Sequence, residues 1–343
     1  MEVFTQINTT QYKKLLKFCL QYPDWSLMVV GKAGIGKTQI AKEIATEANA
    51  GLVEIYLSIR EPFDLIGAIF PVKTEKGMVS VRAISEIMKR AWDEYNKKQR
   101  VVLLFDEFTH ANKNVLKSLY QLLLERKIED QELPPNTLTI LIGNLDYEGL
   151  GWSIEEFPKA FLDRCIRVEL TFSFDEFFDY AIKRDFHPSI LGFIKWKPEM
   201  VEKLTPRTLE RCSNTLKIIE NLNLNEKEKR EMENLLLKVI MGEAVYGTYK
   251  IWKETSAVNV FYILDNFDKV KLSEEQFIAF VIQLAYLLKD KSYWDKVAKI
   301  IYKFPQELLL FLLQSNEEFK CYVMDKLPER KKIFKVFKEI LDK

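Results

Sequence analysis

Residues 31–38 read Gly31-Lys32-Ala33-Gly34-Ile35-Gly36-Lys37-Thr38 and directly follow the apolar run Leu27-Met28-Val29-Val30. No other stretch restricts the fold as sharply. A buried strand must run into a glycine-rich turn, and a helix must begin where the turn ends. Only then do free backbone N–H groups and the positive end of the helix dipole face one anion. Gly31, Gly34 and Gly36 admit backbone conformations and close approaches that a Cβ would block. Lys37 suits the β and γ phosphates of a nucleotide, and the Thr38 hydroxyl suits Mg²⁺. The candidate phosphate-binding run is therefore Gly31, Lys32, Ala33, Gly34, Ile35, Gly36, Lys37, Thr38 and Gln39. Beyond it, Ile40, Ala41, Ile44, Ala45 and Ala48 recur at helical spacing on one apolar face.

A chain of 343 residues exceeds one hydrophobic core, so more than one domain is expected. Hydrophobic residues make up 48% and charged residues 29%, the balance of a soluble globular protein. Lys and Arg number 51 against 50 Asp and Glu, for a net charge of +1. That excludes the global basic field that dominates nonspecific DNA binding, though not a local patch. Cys19, Cys165, Cys212 and Cys321 lie far apart without paired spacing and read as reduced core thiols of a cytoplasmic protein. The start Met1-Glu2-Val3-Phe4 predicts no signal peptide, and the apolar stretch 277–288 is too short to span a bilayer. With His110 and His187 the only histidines, a histidine-based metal site is not expected.

Asn8 through Gln11 opens a first helix with Tyr12, Leu15, Leu16, Cys19 and Leu20 on one face. Strands are then predicted at 27–30, 52–57, 101–105, 138–142 and 166–170, with helices between them. Several are apolar throughout, which indicates a five-stranded parallel sheet covered on both faces by helices. Past residue 172 the β-branched runs stop and the pattern is helical. Thr205-Pro206 reads as a helix start, and Ser273 through Gln276 as a capping box ahead of the 277–288 helix. Further helices are predicted at 291–302, 305–313 and 328–341. Trp252, Tyr262, Trp294, Phe311 and Phe334 are spaced as core residues of that region. The expected division is 1–172 for the α/β domain, 173–250 for a helical lid and 251–343 for an all-α C-terminal domain.

The apolar strand Val101-Val102-Leu103-Leu104-Phe105 ends in Asp106-Glu107. Hydrolysis of a nucleotide requires one carboxylate near Mg²⁺ and another to orient water, and the carboxyl end of such a strand is where these sheets bind ligands. Asp106 suits the metal and Glu107 the base. Read alone, the pair could equally open the following helix; beside the phosphate loop, the catalytic reading is favoured.

With these motifs in place, the chain resembles an AAA+ ATPase of the MoxR/RavA type, over roughly residues 20–215. Phe63-Asp64-Leu65-Ile66-Gly67 resembles the segment that family places before a hairpin insertion. Asn144, followed by Asp146-Tyr147-Glu148-Gly149, matches the sensor 1 position. Ala160-Phe161-Leu162-Asp163-Arg164 matches the arginine-finger segment, and Thr205-Pro206-Arg207 matches sensor 2. The resemblance implies that Asn144 positions the attacking water or contacts the γ-phosphate. It implies that Arg164 reaches nucleotide bound by a neighbouring subunit, and that Arg207 closes from the lid onto its own.

The resemblance further implies ATP and Mg²⁺ as ligands and a homo-oligomeric, hexameric ring in which hydrolysis drives chaperone-like remodelling of a protein partner. The alternative is an ATP-driven motor on nucleic acid, with Lys331, Lys332 and Lys335 lining a strand path. Two departures mark a divergent branch. Thr109 and His110 stand where the family commonly has Asn and Arg, and Leu145 replaces the usual proline after sensor 1. Two insertions, 69–81 and 129–136, are expected to be hairpins that face a pore or partner.

Overall fold

The structure is a computed structural model and describes residues 4–75, 77–128, 131–144 and 162–326. The chain divides into two compact units, Met1–Ser173 and Phe174–Lys343.

The first unit is built on strands β1 (Thr5–Ile7), β2 (Ser26–Val30), β3 (Gly51–Tyr56), β6 (Val101–Asp106), β9 (Thr137–Ile142) and β10 (Cys165–Leu170). They form one parallel sheet in the order β1-β10-β2-β9-β6-β3. The sheet has six strands rather than five. The extra strand, β1, is a three-residue edge strand of polar character, too short for its alternation to register in a sequence pattern. The all-apolar runs are explained by position. β2 and β9 are buried at every residue and β6 at all but its last, as strands covered on both faces must be.

From β2 the chain goes to the far edge at β3, returns through β6 and β9, and then crosses to β10 on the other side of β2. The carboxyl end of β2 therefore opens between neighbours reached from opposite directions, the place where open α/β sheets bind ligands. Alternate side chains of the strands feed two cores. Leu27 and Val29, with Val102 and Leu104, pack with α1 (Thr9–Gln21) and α2 (Lys37–Glu47). Met28 and Val30, with Leu103 and Phe105, pack with α3 (Pro62–Ile66), α4 (Glu86–Lys98) and α5 (Lys113–Glu125). Each such buried side chain contributes about 1.5–3 kcal/mol.

The predicted 69–81 hairpin forms as β4 (Ile69–Thr74) and β5 (Gly77–Arg82), antiparallel, with Phe70 opposite Val81 and Val72 opposite Val79. Its strand residues are exposed, apart from Arg82 at the end of β5. The second hairpin is shorter and earlier than expected: β7 (Lys127–Ile128) pairs with β8 (Gln131–Glu132), and Asp130 lies outside the described residues. Gln131 ties its base to the stem of the first hairpin, accepting from Ser85 N and donating to Ala83 O, both at 3.2 Å.

The second unit is helical among the described residues. The long helix Glu199–Asn221 breaks at Thr205, whose φ of 61° is not helical, and restarts at Pro206. Thr205 Oγ1 accepts the Thr208 N–H at 3.4 Å, so this N-cap falls where the sequence puts it. The capping box at Ser273 also forms, ahead of Glu274–Leu287. Trp252, Trp294 and Phe311 are buried as expected, and Trp252 lies so close to Gly192 that a Cβ there would come within 2.5 Å of its ring.

Tyr262 is a correction: it is 60% exposed, because its position on the short helix Val260–Asn266 faces away from Val260, Ile263 and Leu264, which are buried. A second correction concerns the cysteines. Cys19, Cys165 and Cys212 are buried, whereas Cys321 is exposed. The predicted helix at 328–341, with Phe334, Lys331, Lys332 and Lys335, lies outside the described residues.

Candidate nucleotide-binding site

The turn between β2 and α2 takes the shape its glycines permit. Gly36 caps α2 with φ 101°, and a Cβ on Gly31 would stand 2.6 Å from the Leu170 carbonyl oxygen. Lys37, the first residue of α2, is 5% exposed. Its Nζ donates to the carbonyls of Gly31 (2.9 Å) and Lys32 (2.8 Å) and to Asn144 Oδ1 (2.9 Å). These three acceptors are neutral, so an anionic phosphate oxygen is a stronger partner for the ammonium than any of them. From behind, Tyr12 of α1 donates its hydroxyl to the Lys37 carbonyl at 3.3 Å. Burial, then the Asp106 carboxylate and then Cys19, hold the Tyr12 phenol well above its ordinary range, so it is a donor at all working pH.

Thr38 Oγ1 donates to Asp106 Oδ2 at 2.7 Å, which brings the predicted metal pair together. Asp106 is aimed by its own turn: its Oδ1 accepts the Glu107 N–H at 2.8 Å. Glu107 occupies the left-handed region (φ 58°, ψ 33°), a conformation that costs about 1–2 kcal/mol for a residue bearing a Cβ. Strain of this kind persists where surrounding contacts hold it. Here Ser58, just beyond β3, donates its hydroxyl to Glu107 Oε2. Ser58 was not legible as a site residue, because it meets Glu107 only through the pairing of β3 with β6, which sets Tyr56 opposite Asp106.

Asn144, at the end of β9, reaches Lys37 with its side chain while its N–H donates to Thr109 Oγ1 at 3.2 Å. His110 is exposed, with Nδ1 3.5 Å from that hydroxyl. The residues after Asn144, including Leu145 and Asp146, lie outside the described residues, as do Ala160 and Phe161.

Arg164 is not part of this cluster. It immediately precedes β10, where Cys165 pairs with Ser26 at the start of β2. The phosphate loop follows the other end of that strand, five residues on, or about 16 Å away. Arg164 is exposed there and donates to the Leu124 carbonyl in the last turn of α5 at 2.9 Å. Arg207 is exposed on the second unit, in the first turn after Pro206. Lys32, Ala33 and Gln39 are exposed around the loop, with Gln39 Nε2 donating to Glu43 at 3.2 Å.

A buried ammonium at a helix N-terminus, glycine turns open to close approach, and a hydroxyl–carboxylate pair of hard oxygens fit a nucleotide phosphate chain with Mg²⁺. Sheet order and loop position define a P-loop nucleotide hydrolase of the AAA+ fold. The match to known families agrees: residues 26–139 match the AAA domain of the dynein-related subfamily. The chain therefore carries an AAA domain and is an ATPase. That match contains the phosphate loop, Asp106 and Glu107, and ends before Asn144.

No curated protein matches the chain. Among solved structures, it is similar to the Thermotoga maritima RuvB Holliday junction branch migration motor, at 16% identity and TM-score 0.38, over 80% of this chain and 81% of that one. A proline-to-glycine mutant of the same motor matches at 16% identity and TM-score 0.39, over 81% and 88%.

Proposed function

We propose that this chain is a Mg²⁺-dependent ATPase motor of MoxR-like type, which works as a ring and remodels a protein partner. The observation that carries the reading is the pairing of Lys37 with Asn144 and of Thr38 with Asp106 and Glu107, with Arg164 at the opposite end of the sheet. One chain holds a binding and hydrolysis half-site but presents its finger arginine elsewhere. A neighbouring copy then supplies the missing cation, which makes hydrolysis depend on assembly.

In this reading the turn from Gly31 to Gly36 and Lys37 hold the phosphates, while Thr38 and Asp106 hold Mg²⁺. The metal, when bound, neutralises charge on the phosphate oxygens. Glu107 exchanges Ser58 for a water and takes its proton as the water oxygen bonds to the γ-phosphorus, releasing ADP and phosphate. Asn144 orients that water or senses the γ-phosphate. Arg207 belongs to the helical lid, 173–250, and closes on the nucleotide of its own subunit; 251–343 forms a separate C-terminal region.

A protein partner is favoured over nucleic acid by the hairpin of β4 and β5. Ile69, Phe70, Val72, Met78, Val79 and Val81 are all more than 40% exposed there, a surface suited to apolar side chains rather than phosphates. Among the described residues no helix is long and apolar enough to cross a membrane. The test is phosphate release with Glu107→Gln, Arg164→Ala and their mixture. Each variant alone is expected to be inactive, and the mixture active, because mixed rings contain interfaces with both groups intact. An inactive mixture would overturn the shared site, and stimulation by DNA with none by protein would transfer the motor to nucleic acid.

A further inference from the structure

A buried hydroxyl that hydrolysis does not use lies against Asn144. Thr109 lies in the short turn Phe108–His110 after β6 and is 6% exposed. Both branches of its side chain are engaged with the end of β9. Its hydroxyl accepts the Asn144 N–H at 3.2 Å, and its methyl stands 2.6 Å from where a Cβ on Gly143 would be. The Phe108 ring closes the same space at 2.7 Å, so the β9 backbone can lie this close only because residue 143 is glycine. On the other side, Gly143 N donates to Val29 O at 3.0 Å. The Asn144 backbone is thus held between β2 and the turn carrying the acidic pair, and its side chain is left to reach Lys37.

We propose that Thr109 is a positioning residue for ATP hydrolysis. It touches neither phosphate nor water; through its hydroxyl it sets the height and direction of Asn144 and keeps that residue in register with Asp106 and Glu107. β6 and β9 are adjacent, with Phe105 opposite Leu141, so a shift of the turn after β6 is passed directly to Asn144. The proposal rests on the assignment of Asn144 and Glu107 to hydrolysis. A hydroxyl is needed rather than a methyl, because the Asn144 N–H otherwise points at carbon and the residue turns to find another acceptor.

The test uses the full-length chain with Mg²⁺ and ATP. Thr109→Val keeps the shape and removes the acceptor. It is expected to lower kcat about tenfold to a hundredfold, the scale of a misplaced positioning group, while the ATP KM changes less than about threefold. Thr109→Ser is expected to restore most of the lost turnover. In an Asn144→Ala background, adding Thr109→Val is expected to cost nothing further, since the group it positions is gone.

If Thr109→Val does not fold, Thr109→Ser and Thr109→Ala differ by the same hydroxyl, and their kcat ratio reads it. Unchanged kcat in Thr109→Val, or a loss that adds fully to Asn144→Ala, overturns the proposal. Glu107→Gln is run beside it. If that variant abolishes turnover while Thr109→Val does not lower it, Thr109 alone is wrong; if Glu107→Gln turns over normally, the site reading falls and the proposal with it.

Discussion

At the carboxyl end of the sheet two sets of hydrogen bonds form within one chain, Lys37 with Asn144 and Thr38 with Asp106 and Glu107. At the amino end of the same sheet Arg164 stands exposed, donating to a helix-terminal carbonyl. The first region gathers the groups suited to a phosphate chain, whereas the second displays a cation to its surroundings. On the proposed reading, this separates nucleotide binding within one chain from hydrolysis shared with a second copy. In the proposed ring the gathered groups hold nucleotide, while an arginine about 16 Å from its own phosphate loop serves the site of another copy.

The largest effect is expected at the carboxyl end. Glu107→Gln is expected to lower phosphate release by about 10³–10⁴-fold with ATP binding retained, measured by steady-state turnover and nucleotide titration. A parallel loss of binding would mean that Glu107 supports the fold of the loop rather than the chemistry. Arg164→Ala should lower turnover by about 10²–10³-fold, with unchanged nucleotide affinity in the isolated chain. Weakened affinity at concentrations where the protein is monomeric would put Arg164 back in its own site.

Smaller effects are expected at the end of β9 and at the thiols. Gly143→Ala forces a Cβ against Thr109 and Phe108 and should destabilise the first unit by about 1–3 kcal/mol, read from urea unfolding. An unaltered midpoint would show that the β9 end yields easily and is not held. The smallest effect concerns thiols. Burial pushes Cys165 and Cys212 up to about 12 and Cys19 up to about 11, whereas Cys321 is exposed. An alkylating reagent near pH 8 should therefore modify a single thiol in the native protein and four after denaturation, counted by mass. Early labelling of Cys165, just beside Arg164, would reveal that the amino end of the sheet opens.

The phosphate loop, the acidic pair, the helix caps at Asn8, Thr205 and Ser273, and the parallel α/β plan were all legible in the amino-acid order. These features are local. A glycine that must take positive φ, a side chain that caps its own helix, and an apolar run buried on both sides each answer to neighbours a few residues away. Lys37 and Asn144 are 107 residues apart, Thr109 and Asn144 are 35, and Ser58 and Glu107 are 49. Those meetings come from strand order β2-β9-β6-β3 and its register, which no spacing in the chain records. The exposure of Tyr262 and Cys321 and the edge strand β1 belong with them. Which groups can face a phosphate is a matter of residue chemistry and could be read directly. Which groups hold one another in place, and which end of the sheet each occupies, follow from long-range pairing that exists only once the chain has folded.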